Sequence, residues 1–373
     1  MVTVAMVGIG KMGLSHLAMV RAHPDVEVVG VCDSIGYVLD VLSKYTGLTT
    51  FTDFTTMLDT VKPDAVIIAT PSASHVQLIR EALGRGLHVF CEKPLTLSAE
   101  ESAELAAVAA KKGLVTQVGY HNRFVGAFQE VKRLLDAGAI GTVSHALAES
   151  YGPVVLKPKG GTWRSKRVSG GGCLYDYAAH PLDLLSWYFG EAVSAGGTVI
   201  SQVFSAETDD QVYSTLRFAD SISAQLSVDW SDESQRKMTT KLSIWGSAGK
   251  IVVDRQECQV YLRDTAEPPP GYHHGWNSRY TTTLTPPVWF YLRGEEYSAQ
   301  IDHFVRAVLA RPEARGAAQN DFASAAATDR MIEMVLVSAS AEENPVRATT
   351  TAPPTTKPRK SLFGGRSTKT AAR

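Results

Sequence analysis

A chain of 373 residues with 44% hydrophobic and 20% charged side chains has ordinary globular composition and length enough for two domains. Its net charge of −1 conceals an asymmetry: residues 345–373 carry seven Lys or Arg and no Asp or Glu, leaving 30 basic and 38 acidic residues in the body. An acidic body argues against nucleic acid as the main partner, and no apolar run approaches the roughly 18 residues of a membrane helix.

Cys32, Cys91, Cys173 and Cys258 lie far apart with no Cys-x-x-Cys pair, so neither a zinc site nor a disulfide framework is suggested. They read as buried thiols of a reducing compartment, and with no basic leader before the first glycine motif the expected location is cytoplasmic. The Thr-, Pro- and Lys-rich tail, 345–373, has too little apolar surface to offset the entropy of ordering and is expected to be disordered.

Residues 2–7 form a short β-branched run, the pattern of a buried strand, and Gly8-Ile9-Gly10-Lys11-Met12-Gly13 follows at once. In such a loop the first glycine permits a tight turn, the second lets backbone approach a pyrophosphate, and the third lets the next helix pack on the sheet. That helix, over 12–22, presents free N–H groups and a positive dipole end to an anion. A second strand, 26–32, ends at Asp33, where a carboxylate accepts hydrogen bonds from ribose hydroxyls; Ser34 follows rather than an arginine, which favours NAD over NADP.

The alternation continues with strands over 64–69, 87–90 and 114–118 and helices over 74–84 and 99–112, the mark of parallel β-α-β winding. Ligands bind outside the carboxyl ends of such strands, so Thr70-Pro71-Ser72, Glu92-Lys93 and Gly119-Tyr120 are expected around one crevice. His75, in the first turn of its helix, is a candidate for the nicotinamide side, with a packing role as the alternative. The Lys93 ammonium, at a strand's edge beside a cofactor, can polarise a hydroxyl about to lose a hydride. By itself, however, a Glu-Lys-Pro triplet is more often a surface turn.

Gly8-x-Gly10-x-x-Gly13, Ala69-Thr70-Pro71 with His75, the run from His88 through Glu92-Lys93-Pro94, and Gly119-Tyr120-His121-Asn122-Arg123-Phe124 together resemble the Gfo/Idh/MocA family of NAD(P)-dependent oxidoreductases. The resemblance implies an α/β architecture: a Rossmann domain over 1–122, then a substrate-binding and oligomerisation α/β domain over 123–344 with an open, mostly antiparallel sheet. It also implies a homodimer or homotetramer formed through that sheet.

Asp176 and His180 fall four residues apart in Gly170-Gly171-Gly172-Cys173-Leu174-Tyr175-Asp176-Tyr177-Ala178-Ala179-His180-Pro181. On a helix they share a face, where a carboxylate orients an imidazole for proton transfer. Alone, that spacing is more often structural. By resemblance Lys93, Asp176 and His180 occupy the family's catalytic positions and Asp183 its following acidic one: His180 as base, Lys93 as hydroxyl polariser, Asp176 as the partner that orients His180. Pro181 implies a bend, or a helix that starts there.

The stretch 157–167 is basic within an acidic body, and reads either as a solvated loop or as a substrate arm. In the second reading Trp163 stacks on a sugar face, while Arg164, Lys166 or Arg167 holds a phosphate or carboxylate of an anionic substrate. Tyr120 and Arg123 are further substrate-binding candidates. Strands are expected over 143–150, 212–218, 222–230, 239–245, 250–253 and 259–263, with one apolar and one partly polar sheet face. A proline- and aromatic-rich loop over 268–276 follows; its His273-His274 pair is too isolated for a metal site. Helices over 295–310 and 321–340 close the body.

The implied activity is a NAD-dependent dehydrogenase acting on a secondary hydroxyl of a pyranose sugar or cyclitol. A glycoside hydrolase using transient oxidation and a noncatalytic NAD-binding regulator are the alternatives.

Overall fold

Alternating apolar strands and helices wind the first third of the chain into a parallel sheet, in a computed structural model that describes residues 1–158, 162–312 and 319–341. The basic tail lies outside those residues, as does Lys159 of the basic arm. The elements are β1 (Val2–Val7), α1 (Lys11–Ala22), β2 (Val26–Cys32), α2 (Gly36–Thr46), β3 (Thr50–Phe51), α3 (Phe54–Val61), β4 (Ala65–Ile68), α4 (His75–Gly84), β5 (His88–Cys91), α5 (Ala99–Lys111) and β6 (Thr116–Val118). The strand order is β3-β2-β1-β4-β5-β6 with every pairing parallel. The order reverses between β1 and β4, which opens a crevice at the carboxyl ends of those strands. Helices on both faces bury the central strands, so β4 is apolar throughout rather than alternating. The sequence reading passed over α3, which Asp53 caps by accepting from the Thr56 amide and which Phe54, Met57 and Leu58 anchor.

The second sheet is built from β7 (Val143–Tyr151), β8 (Ser194–Ser201), β9 (Gln211–Arg217), β10 (Ser223–Asp229), β11 (Lys241–Gly246), β12 (Gly249–Val253), β13 (Glu257–Leu262) and β14 (Gly275–Tyr280). Its order is β14-β13-β12-β11-β7-β10-β9-β8, antiparallel except where β7 meets β10. The fold is therefore a Rossmann sheet joined to a mixed, mostly antiparallel one. Period-two patterning sets its faces: Ala146, Ala148, Val212, Leu216, Leu242 and Ile244 are buried, whereas Tyr213, Tyr261 and Trp276 are exposed. Two strands of this sheet have no counterpart among those expected from the sequence. β8 opens Ser-Ala-Gly-Gly, without β-branched residues, and β14 falls partly in the stretch read as a loop.

Helices α6 (Gly126–Asp136) and α7 (Ala179–Phe189) pack on the buried face, and the short α8 (Thr281–Leu284) follows β14. The last two helices return across the molecule. In α9 (Glu295–Leu309), Ile301, Phe304 and Val305 join Val4, Met6 and Phe90 in one apolar cluster, with Phe304 edge-on to Phe90 at 5.9 Å. α10 (Phe322–Ala341) lies on α5 of the first unit and on α7 and β8 of the second.

One buried carboxylate ties α10 to the loop after β5. Asp329 Oδ2 accepts hydrogen bonds from Ser102 Oγ at 2.6 Å and the Thr96 amide at 3.2 Å. Burial raises its pKa to about 7, since these two donors do not offset the lost hydration. A carboxyl whose folded pKa is raised favours folding while both states are protonated. That contribution is lost as pH climbs from the ordinary carboxylate range through about 7. Asp329→Asn keeps the acceptor and cannot ionise, so its stability relative to wild type should rise between pH 5 and pH 8 in denaturant titrations; a pH-independent difference would refute the assignment.

Candidate functional site

The glycine loop after β1 fits a dinucleotide by shape. Gly8 has φ +89°, and a Cβ there would lie 2.7 Å from the Ala69 carbonyl carbon and the Thr70 nitrogen. A Cβ on Gly13 would meet the Gly8 carbonyl oxygen at 1.9 Å, so the start of α1 sits directly on the loop. Gly10, the N-cap of α1, faces open space and offers no side-chain cap, which leaves the helix's leading N–H groups available to a pyrophosphate. Ile9 is buried under the loop, while Lys11 is exposed and Met12 half-buried.

At the end of β2 the Asp33 carboxylate accepts from the Ile9 amide (2.6 Å) and the Ile35 amide (2.9 Å), fixing its place beside the glycine loop. Across the crevice, Thr70 Oγ1 accepts from Ser74 Oγ at 2.7 Å and Pro71 is exposed at the loop's tip.

Two residues expected to touch cofactor are used internally instead. His75 is fully buried, its Nδ1 facing the carbonyls of Pro94 and Leu95 and its Nε2 that of Thr70. Burial keeps its pKa below the ordinary value, and the ring is a strut between the loops after β4 and β5 rather than a wall of the nicotinamide pocket. Glu92 is committed to His16 of α1, Oε1 to Nε2 at 2.6 Å. Burial pushes its pKa up, but the bond and charge of His16, then Lys93, carry it down. A Cβ on Gly119 would lie 2.9 Å from Glu92 Oε2, so that glycine makes room for the pair.

Lys93 reaches out of the first unit into the second. Its Nζ donates to Asp176 Oδ1 at 2.6 Å and to the Asp176 carbonyl oxygen at 2.8 Å. Asp176 sits in a π-helical turn, Leu174–Ala178, that leads into α7. In that wider register its carbonyl would look to the N–H of residue 181, and Pro181 has none. The proline near the start of α7 thus frees an acceptor that the lysine takes. Asp209, whose Oδ2 accepts from the Leu174 amide at 2.6 Å, caps the turn.

The other Asp176 oxygen accepts from Arg164 Nε at 2.9 Å, and the Arg164 guanidinium lies over its neighbour Trp163 at 4.6 Å. Burial raises the Asp176 pKa, but Lys93 and then Arg164 overcome it and hold it at about 2. The arm can lie this close because residue 171 is glycine: a Cβ there would meet the Arg164 carbonyl oxygen at 2.3 Å.

Three expectations change accordingly. Asp176 gives its oxygens to Lys93 and Arg164, and no hydrogen bond joins it to His180 among the described residues. Arg164 gives Nε to that carboxylate, which leaves only its two Nη groups to meet an anion. Arg123 is buried and bidentate on Asp183, Nη2 to Oδ1 at 2.6 Å and Nε to Oδ2 at 2.9 Å, with Nη1 on the Gln319 carbonyl; each of its nitrogens is thus bonded within the protein, and the side chain ties the β6 turn to α7.

His180, near the start of α7, is buried among rings. His121 lies at 5.0 Å and Tyr120 at 6.3 Å between centroids. Its Nδ1 has no partner among the described residues, and the Tyr120 hydroxyl is likewise unpartnered and buried, closed off from substrate. Burial, then the charges of Lys93 and Arg255, keep the His180 pKa well below 6.5. The sequence reading quoted His121 within a motif without giving it a role. Its proximity to His180 depends on how α7 meets the turn after β6, which no local pattern encodes.

Residues 2–120 match the family model described as "Oxidoreductase family, NAD-binding Rossmann fold", and residues 128–252 match "GFO/IDH/MocA C-terminal domain". The chain belongs to the Gfo/Idh/MocA oxidoreductase family. Within it, the chain is 31% identical over 189 residues to D-glucoside 3-dehydrogenase of Escherichia coli, covering 50% of this chain and 54% of that protein. It is 29% identical over 211 residues to the NAD-dependent scyllo-inositol 2-dehydrogenase of Bacillus subtilis, covering 55% and 60%. Of these two relatives the chain thus spans less than two thirds of the length. The structure of a levoglucosan dehydrogenase in complex with NADH superposes with TM-score 0.79 at 22% identity, over 91% of this chain and 97% of that one. The glycine loop of this Gfo/Idh/MocA member has the form that an NAD-binding oxidoreductase fold requires.

Replacing Gly13 by alanine forces α1 off the loop, so NADH affinity, read by fluorescence titration, should fall at least tenfold while far-ultraviolet circular dichroism is retained. Unchanged affinity would contradict the packing role of Gly13.

Proposed function

We propose that this chain moves a hydride between NAD and a secondary hydroxyl, or the corresponding ketone, of a pyranose sugar, sugar derivative or cyclitol. The observation that carries the reading is the Lys93-Asp176-Arg164 bridge at the carboxyl edge of the parallel sheet, in the same cleft region as a histidine kept neutral by its surroundings. The names of the relatives, a glucoside dehydrogenase and an inositol dehydrogenase, support the substrate class.

In this reading the bound nicotinamide supplies the carbon that accepts hydride. The chain's own groups manage the oxygen. Lys93 spends two of its three N–H donors on Asp176 and aims the third at the substrate hydroxyl, where negative charge gathers as the C–H bond breaks. His180, uncharged, takes the hydroxyl proton. Asp176, anionic throughout the working range, fixes the ammonium's direction, and Arg164 braces Asp176 from the other side. Asp33 selects NAD by repelling a 2′-phosphate. The aromatic outer face of the second sheet, with Tyr213, Tyr261 and Trp276 exposed, is the proposed surface of a homodimer or homotetramer.

His180→Ala should lower kcat on the order of 100- to 10,000-fold with NADH binding intact. Full activity in that variant removes His180 from the mechanism. Substrate class is decided by a panel of glucosides, inositols, 1,6-anhydrosugars, uronates and nucleotide sugars followed by NADH absorbance. NAD should outperform NADP on whichever substrate turns over, and a strong NADP preference overturns the role given to Asp33.

A further inference from the structure

His121 opens the short turn after β6, at the mouth of the parallel sheet, and is 5% exposed. One side of its ring stacks on Tyr297 of α9, with centroids 4.5 Å apart and planes at 18°, and the Tyr297 hydroxyl lies 3.5 Å from its Nε2. The His180 ring meets it at 67°, closer than any other ring recorded against His180. Tyr297 is itself held: the Arg293 guanidinium lies over its ring at 5.4 Å, and the next residue back, Glu296, is ion-paired with Arg255. A column of rings therefore runs from α9 through the β6 turn to α7, joining three elements that are far apart in sequence.

The column explains a feature of His180 that the hydrogen bonds leave open. An imidazolium needs an acceptor at both nitrogens, and His180 Nδ1 is buried with none among the described residues. Water at Nδ1 would supply that acceptor and favour the charged ring. We propose that His121, clamped by Tyr297, is a positioning residue for His180: its ring walls the imidazole, holds it in one orientation and keeps water from its buried nitrogen. The other charged or titratable groups around the pair are Lys93 after β5, Asp176 in the π turn, Arg255 between β12 and β13, Arg293 and Glu296 at the start of α9, and Tyr120. Burial first, and then His180, Arg255, Lys93 and Arg293, also lower the His121 pKa well below 6.5, so the wall is uncharged when His180 receives a proton.

The inference rests on His180 being the base, and its test is built to fail separately from that reading. Histidine-selective nitrogen NMR on the whole protein without substrate, with the His180 signal assigned by its loss in His180→Gln, reads the proton affinity directly. In His121→Ala the His180 midpoint should move upward by about one pH unit, a tenfold gain in proton affinity. His121→Phe, which restores a ring without a titratable nitrogen, should return the midpoint to the wild-type position. On whichever substrate the panel identifies, His121→Ala should lose about ten- to a hundredfold in kcat with the NAD KM unchanged, and the phenylalanine variant should recover most of it. If the alanine variant does not fold, Tyr297→Leu removes the clamp from the far side and should give a smaller upward shift. An unmoved midpoint in His121→Ala or in Tyr297→Leu, or a phenylalanine variant displaced as far as the alanine one, overturns the proposal. Inactivity of the wild type on every substrate would sink the dehydrogenase reading and leave the titration to be judged alone.

Discussion

The site depends on one buried bridge, Lys93 to Asp176, because it is where the end of β5 is fastened to the second unit. A partly buried ammonium and a buried carboxylate each lose hydration worth several kcal/mol, and the pair is tolerable only when geometry and extra hydrogen bonds return it. Here the ammonium donates twice to the same residue, and the carboxylate has a second cation in Arg164. The surrounding covalent choices all serve that arrangement. Glycines at 171 and 172 let the arm and the Asp209 cap approach, the π turn re-aims Asp176, and Pro181 frees its carbonyl. Removing Asp176 would leave both cations without their shared acceptor, so the bridge fixes the distance between the two units.

Other buried polar contacts surround it at the same junction. Glu92 with His16 links the strand edge to the dinucleotide helix, Arg123 with Asp183 links the β6 turn to α7, and Asp329 links α10 to the loop behind Lys93. Apolar packing alone would hold these elements together but would tolerate sliding, since dispersion contacts are not directional. Charged hydrogen bonds between named donors and acceptors are directional and expensive to leave unmade, so they set register where apolar contact sets only proximity. Lys93 sits among joints of the second kind.

How much of this the sequence carried follows from the range of each interaction. The parallel unit was legible because its strands are short apolar runs that alternate with helical stretches. The three glycines declared their purpose because the steric demand lies within a few residues of each. The antiparallel strands with clear alternation were legible too; β8 was not, since its opening glycines leave no pattern to read. The site was half legible. Lys93, Asp176 and His180 stood out by motif, but the wiring among them did not, because whether Asp176 faces His180 or Lys93 depends on a π turn and on a contact between residues 83 positions apart. The same holds for Arg123 and His75. Their residue types invite a binding role, and only the partners brought by folding show that most of their polar atoms bond within the protein.

The electrostatics of the cleft pull in two directions, and the arrangement uses both. Burial, and then Lys93 and Arg255, lower the proton affinity of His180, and in the proposed reaction the same ammonium would favour negative charge on a substrate oxygen. A ground-state imidazole therefore stays neutral and able to accept, although the cation that makes it so also weakens it as a base. In the proposed reaction that weakness would be offset, because the same ammonium makes the substrate hydroxyl more acidic. Asp176 then limits how far either effect goes: held near a pKa of 2, it remains an anion that absorbs part of the lysine's field. Arg164 sits on the side of Asp176 away from Lys93's contact oxygen, so it steadies the carboxylate without adding a second cation on the lysine's own oxygen. One carboxylate thus anchors two cations, and one of the two lowers the proton affinity of His180.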